Sequence, residues 1–153
     1  MASQFGPLFG LLMSLPPATA HLQQMPPPIP ENLDRQTDVL NHMKGVWKSV
    51  GNGMTGIEWG FRIDKAADNE GLSVVPHPND HMMHHATFPG TDNTVAEFHN
   101  HTHGHDPKPS DIDKALGDKH KIDIYTFGEG GLYKYDWRTR KTVLLKGGLE
   151  WLK

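Results

Sequence analysis

The sequence predicts one small domain of the α+β class, in which a mixed β-sheet is flanked by helices. Amphipathic segments with helical periodicity and short segments typical of strands follow each other in the order helix, strands, helix, strands. The length of 153 residues suits a single domain with a modest core. No internal repeat is visible in the sequence, so we expect one unit rather than an array of modules.

Two segments carry the helical pattern. Residues 32–48 place apolar side chains largely at helical spacing, which predicts an amphipathic helix that ends at the glycines Gly51 and Gly53. Residues 110–116 follow a turn-forming stretch that contains two prolines, and they predict a short helix with Ser110 as N-cap and Gly117 as its end.

Six short segments predict the strands of the sheet. Residues 56–64 alternate apolar and polar side chains, and this alternation places Glu58 off the apolar face. Residues 122–127 and 132–137 flank a glycine-rich turn and predict a hairpin. The other predicted strands are residues 72–75, 94–101 and 142–146, and residues 76–89 are interpreted as a loop. The residues assigned to the core are Trp47, Trp59, Phe61, Phe98 and Ile112.

The N-terminal region is predicted to precede the folded domain, which would span residues 32–153. Residues 1–20 contain an apolar stretch and an Ala-Thr-Ala sequence typical of secretory cleavage sites, but no Lys or Arg precedes that stretch. They are either a signal peptide, which implies a secreted or periplasmic protein, or an extension of a cytoplasmic one. The apolar stretch is too short to span a bilayer. Residues 21–31 are proline-rich and predict an extended arm.

The composition narrows the function classes. The net charge of −3 is spread along the chain without a basic run, so we expect no nucleic-acid partner. The chain has no cysteine, so any transition metal must be bound by imidazole and carboxylate groups. Eleven histidines are present, and nine of them lie between His77 and His120. This clustering favours a metal site.

The spacing of two histidines in the central predicted strand suits a metal ion. Side chains in a strand alternate between faces, so His99 and His101 project the same way, about 7 Å apart along the chain. A catalytic zinc site needs three protein ligands and a free position for water. Asp113, in the first turn of the following helix, is a plausible third ligand.

These residues belong to a motif with a known counterpart. The chain reads His-Asn-His at residues 99–101, Asp-Pro-Lys-Pro-Ser at residues 106–110 and Asp at residue 113. This pattern resembles the JAMM motif of JAB1/MPN-domain zinc metalloproteases, in the form typical of the bacterial RadC-like branch. The resemblance covers about residues 56–116. Eight residues separate His101 from Ser110, one more than is usual in that family. Loops accommodate single insertions easily, so we retain this histidine pair and keep His103 as the alternative ligand.

The resemblance implies a curved JAB/MPN-like sheet and a role for each residue of the motif. His99, His101 and Asp113 would bind one zinc ion, and Ser110 would help to bind the oxyanion. The family also uses a glutamate ahead of a glycine in an early strand as general base, and Glu58 matches that position. The implied activity is hydrolysis of a peptide or isopeptide bond in a peptide or protein substrate.

Several alternatives remain open at the level of single residues. Glu97 rivals Glu58, because it lies two residues before His99 on the same strand face and could act as base or ligand. We prefer Glu58, since a separate strand allows a base to approach water from beside the metal. Ser110 and Asp113 also form a capping-box pattern that requires no metal. The remaining loop histidines are interpreted as exposed residues without a catalytic role.

Other functions fit parts of the same pattern. The histidine-rich stretch would suit a non-catalytic protein that binds zinc, nickel or copper. A JAB-like domain of a toxin or effector is a further hypothesis. A His-x-His strand also begins the motif of cupin-like metal oxygenases, but the glutamate that those proteins carry a few residues later is missing here.

Overall fold

The structure, a computed structural model, describes residues 30–66, 71–78 and 90–153. The predicted signal or extension, almost all of the proline-rich arm, and His81, His84 and His85 lie outside the described residues. Within the described ranges, no helix combines the length and apolar character that a membrane crossing requires.

The described residues form a six-stranded mixed sheet, which confirms the α+β class. The strands are β1 (Gly60–Lys65), β2 (Leu72–Pro76), β3 (Thr94–Asn100), β4 (Asp123–Gly128), β5 (Gly131–Asp136) and β6 (Lys141–Gly147). Their order in the sheet is β2-β1-β3-β4-β5-β6. The neighbouring strands β3 and β4 are parallel, whereas all other neighbours are antiparallel.

Two helices pack on opposite faces of this sheet. Helix α1 (Thr37–Ser49) buries Val39, Met43, Val46 and Trp47 in the main core, together with aromatic residues of β3 and β4. Helix α2 (Asp111–His120) connects the parallel strands β3 and β4 and packs through Leu116 on a smaller apolar cluster. Short 3-10 turns at Leu33–Arg35 and Glu150–Leu152 complete the main core.

The first predicted helix is divided in the structure. Gln36 has extended backbone angles (φ −67°, ψ 135°), so the 3-10 turn and α1 are separate elements. The end of α1 agrees with the prediction, since the helix stops at Ser49 and Gly51 follows with a positive φ of 60°.

Two predictions for the second helix are wrong. Helix α2 continues past Gly117 to His120 and is closed by Lys121 in the left-handed conformation. Gly117 instead allows close packing, because a Cβ there would lie 3.1 Å from the carbonyl oxygen of Ile122. Ile112 is not a core residue, since it is 72% exposed. The buried face of α2 is the one that carries Asp113, Leu116 and Gly117, and Ile112 lies outside it.

Strand β3 is buried along its whole length and separates two environments. On the face toward α1, Phe98 stacks between Phe61 and Tyr125, at ring-centroid distances of 4.9 and 4.2 Å. The intervening residues Glu97 and His99 point to the face covered by α2. Around Phe98, alternation therefore separates an aromatic side chain on one face from two polar side chains on the other.

The predicted strand at residues 56–64 begins later than expected. Regular pairing starts at Gly60, opposite His99, so Glu58 lies just ahead of β1. Trp59 is only partly buried, in contrast to the fully buried Phe61 and Phe98. At Gly60 the two strands approach so closely that an added Cβ would lie 2.0 Å from the carbonyl oxygen of Phe98. Only glycine fits this position.

We expect Gly60→Ala to lower the free energy of unfolding by ~3 kcal/mol, because the new methyl group must displace backbone atoms. The matched control is Gly45→Ala in α1, where an added Cβ meets no atom within 4 Å. That change should stabilise the protein by about 0.5–1 kcal/mol, since alanine favours the helix. Urea unfolding of both variants measures the difference. Equal effects of the two changes would show that the close approach at Gly60 is absent in solution.

Candidate metal centre

Two imidazoles and one carboxylate converge at the carboxyl end of β3. His99, His101 and Asp113 each offer one ligand atom, and these atoms all lie within 4.8 Å of one another. The two histidine Nε2 atoms are 3.1 Å apart. Asp113 Oδ1 lies 3.5 Å from Nε2 of His99, and Oδ2 lies 3.6 Å from Nε2 of His101. The three residues form a group that could hold a metal ion.

These separations can be compared with the size of a zinc site. Ligand atoms about 2.0–2.1 Å from a tetrahedral ion lie about 3.4 Å from each other. The Nε2–Nε2 separation of 3.1 Å and the shortest approaches of the Asp113 carboxylate, 3.5 Å from Oδ1 to His99 and 3.6 Å from Oδ2 to His101, are close to this value, and one ligand atom from each residue lies within 4.8 Å of the other two. The spacing of the three residues is therefore compatible with a small metal ion.

Hydrogen bonds on the far side of each imidazole fix its orientation. His99 donates from Nδ1 to Oε2 of Glu97 over 2.8 Å. His101 donates from Nδ1 to the backbone carbonyl of Asp106 over 2.6 Å. A proton held on Nδ1 leaves the lone pair on Nε2, the atom that faces the shared point. Both rings are therefore oriented as ligands.

Asp113 is held by the start of α2. The Ser110 hydroxyl donates to Oδ2 of Asp113 over 2.6 Å and accepts from its backbone N–H over 3.2 Å. The backbone N–H of Ser110 also donates to Oδ2 over 2.6 Å. This is a complete capping box, as the sequence indicates. The same cap directs the Asp113 carboxylate toward the two histidines, so the capping and ligand interpretations are compatible.

The electrostatics of the cluster favour a positive charge between its carboxylates. Burial by itself would lower the pKa of His99, but the charge and hydrogen bond of Glu97 raise that pKa to about 10, with weaker contributions from Asp113 and Glu58. Burial would raise the pKa of Asp113, but the hydrogen bond with His101, the charge of His99 and the bonds from Ser110 hold it well below its ordinary range. The carboxylates that favour a second proton on His99 would also favour a divalent cation, which would replace that proton at Nε2.

The Glu97 carboxylate lies next to the group of candidate ligands and contacts His99. Its Oε2 contacts Nδ1 of His99, and its Oε1 lies 3.8 Å from Nε2 of His77, which is also buried. The carboxylate thus lies on the Nδ1 side of the ring, away from the converging Nε2 atoms. This contact gives Glu97 an orienting role that the hypotheses of base or ligand did not include. Alternation along β3 is the sequence signal that places it beside His99.

The other residues singled out in the sequence occupy different positions. Glu58, half-buried ahead of β1, is near enough for its charge to raise the pKa of His99. Ser110 is exposed at the start of α2. The alternative ligand His103 is about half exposed and lies 3.0 Å from Glu129, outside the metal-binding group. His105 is exposed as well.

We expect purified protein to retain close to one zinc ion per chain, and His99→Ala or Asp113→Ala to abolish this retention, because each change removes one of three ligands. His103→Ala is the matched control and should leave the zinc content unchanged. Elemental analysis after gel filtration measures the metal. Several weakly held ions that survive both ligand changes would contradict this site.

We expect Glu97→Gln to weaken zinc binding by about 10–100-fold without removing the site, since the amide orients His99 less strongly than a carboxylate does. Competition with a chromophoric chelator measures the affinity. A glutamine variant with the affinity of the original protein would rule out the orienting role.

Comparisons of the chain with protein-family models, with curated proteins and with solved structures returned no match.

Proposed function

We propose that this protein is a zinc-dependent hydrolase of the JAMM type that cleaves a peptide or isopeptide bond. The observation that carries the proposal is the convergence of His99, His101 and Asp113, each of which offers one ligand atom within 4.8 Å of the other two. The amino-acid sequence of residues 99–113 supports the proposal independently, because this sequence resembles the JAMM motif. A JAB/MPN-like arrangement of the mixed sheet and its two helices is part of the same proposal.

The donor set favours zinc among the common metals. Two imidazoles and one carboxylate without thiolate suit a borderline cation, and hard cations such as calcium prefer six or more oxygen ligands. Three protein ligands leave one position free, which is typical of catalytic rather than structural zinc. Zinc bound there would lower the pKa of a coordinated water and polarise the scissile carbonyl.

Glu58 is proposed as the general base. The antiparallel register pairs Gly60 with His99, and Asn100 donates its backbone N–H to the carbonyl of Trp59 over 3.0 Å. Glu58 lies just ahead of this paired region, and it is near enough for its charge to raise the pKa of His99. A carboxylate at that position can accept a proton from water and deliver it to the leaving amine.

Ser110 is proposed to bind the developing oxyanion. Its hydroxyl is exposed beside Asp113, at the N-terminus of a ten-residue helix. The partial positive charge of that helix end favours negative charge nearby. The hydroxyl, which donates to Oδ2 of Asp113, would turn its single hydrogen to the oxyanion, and the backbone N–H of Ser110 would still donate to Oδ2. In this role Ser110 would link the helix cap, the Asp113 carboxylate and the substrate carbonyl.

We expect Glu58→Gln to keep its zinc and to lose about 10²- to 10⁴-fold in hydrolysis rate, since the amide cannot accept the proton. The assay follows cleavage of a proteome-derived peptide library and of ε-lysyl isopeptides by mass spectrometry. Glu129→Gln is the matched control, because that exposed carboxylate pairs with His103 away from the metal ligands.

Two results would contradict the proposal. If the zinc-loaded protein cleaves neither the peptides nor the isopeptides, the site binds metal without catalysing hydrolysis. If Glu97→Gln abolishes cleavage while Glu58→Gln does not, Glu97 is the base and Glu58 is not.

A further inference from the structure

Asn100 lies between the two candidate histidine ligands, and its side chain forms hydrogen bonds with the backbone of a neighbouring segment. It is fully buried, and its Oδ1 accepts a hydrogen bond from the backbone N–H of Trp59 over 2.7 Å. Its Nδ2 donates to the backbone carbonyl of Ile57 over 3.1 Å. The backbone N–H of Asn100 donates to the carbonyl of Trp59 over 3.0 Å. All three bonds end on the residues that flank Glu58.

The two side-chain bonds act on the two peptide groups that define the conformation of Glu58. The carbonyl of Ile57 belongs to the peptide plane before the Cα of Glu58, and the N–H of Trp59 belongs to the plane after it. Rotation of these planes about the Cα sets φ and ψ, the two soft backbone angles of a residue. One carboxamide therefore fixes both angles and, with them, the direction of the Cα–Cβ bond of Glu58.

The segment needs such a support because the regular strand does not reach it. Pairing of β1 with β3 begins at Gly60, so Glu58 lies outside the paired strand. On its other side the segment is held by the indole N–H of Trp59, which donates to the carbonyl of His77 over 2.9 Å. The backbone N–H of His77 donates to the carbonyl of Gly60 over 3.0 Å. Asn100 is the support closest to Glu58 among these contacts.

We infer that Asn100 is a positioning residue, which aims Glu58 at the metal centre through its two side-chain hydrogen bonds to the flanking backbone. The inference rests on the proposed function, since it assigns Asn100 a task in the same reaction. It explains why an amide, which offers both a carbonyl acceptor and an N–H donor, lies between the two histidines. A purely apolar residue would remove both hydrogen bonds from the half-buried residues Ile57 and Trp59. In this arrangement His99 and His101 would bind the metal, and Asn100 would orient Glu58 toward it.

A purely structural role for Asn100 makes different predictions, and Thr94→Val provides the comparison. Thr94 lies at the other end of β3, is buried, and donates from Oγ1 to Oδ1 of Asp64 over 2.7 Å. Its replacement by valine also removes a buried side-chain hydrogen bond from the same strand, but far from Glu58. Any loss caused by weakened folding alone should therefore appear in both variants.

The test compares Asn100→Ala, Thr94→Val, Glu58→Gln and the double variant Asn100→Ala with Glu58→Gln, all as zinc-loaded full-length protein. Three quantities are measured: zinc affinity by chelator competition, amide hydrogen exchange at Trp59, and kcat and KM on the best peptide of the library. Asn100→Asp, which preserves the acceptor for Trp59 and loses the donor for Ile57, is the second variant if the alanine variant does not fold.

We expect Asn100→Ala to keep zinc affinity within about threefold, to exchange faster at the Trp59 amide, and to lower kcat by about 10- to 100-fold with little change in KM. In the Glu58→Gln background the same change should produce no further loss, because the base that Asn100 aims is already absent. Thr94→Val should leave zinc affinity, Trp59 exchange and kcat unchanged.

The inference is overturned if Asn100→Ala lowers kcat equally in the presence and absence of the Glu58 carboxylate, or if Thr94→Val reproduces its effects. It is also overturned if the Trp59 amide exchanges no faster in Asn100→Ala. Failure of the proposed function has a different signature: the unmodified protein then binds no zinc or cleaves none of the probes, while the exchange at Trp59 still reports whether the bridge exists.

Discussion

The parallel pairing of β3 with β4 is the constraint on which the rest of the structure depends. Two parallel neighbours cannot be joined by a tight turn, so the chain must cross over the sheet before it enters β4. Here the crossover is α2, which packs on one face of the sheet through Leu116 and Gly117. Its first turn therefore lies above the end of β3. This geometry brings Asp113 to the two histidines across a gap of eleven residues.

Because β3 is buried on both faces, the charged side chains of the polar cluster need oppositely charged or hydrogen-bonding partners. Glu97, His99 and Asp113 are largely removed from water, and unpaired charges in such a place would be costly. They stabilise each other: the carboxylates raise the pKa of His99 to about 10, and the histidines and Ser110 lower that of Asp113. The cluster is consequently arranged around a positive charge. A divalent cation bound between these residues would supply that positive charge.

Stability and proposed chemistry share the same residues in this domain. Ser110 caps α2 and also holds Asp113, so the N-cap residue orients the candidate third ligand. Asn100 bonds to a half-buried backbone segment, and its two side-chain hydrogen bonds end on the residues before and after the proposed base. Substitutions at such positions affect folding and function together, and only measurements that separate metal binding, stability and turnover can distinguish the two.

The sequence by itself determined the order of most elements and the candidate metal ligands. Alternation in residues 94–101, the cap at Ser110 and the histidine spacing are local properties, so the strands, the start of α2 and the candidate ligands could be predicted. Only the tertiary structure decided which contacts these residues make. The orienting bond of Glu97, the bridge from Asn100 and the exposure of Ile112 depend on which face of an element is covered, and on how neighbouring strands are registered. Such relations join residues up to about forty positions apart, which no local pattern encodes.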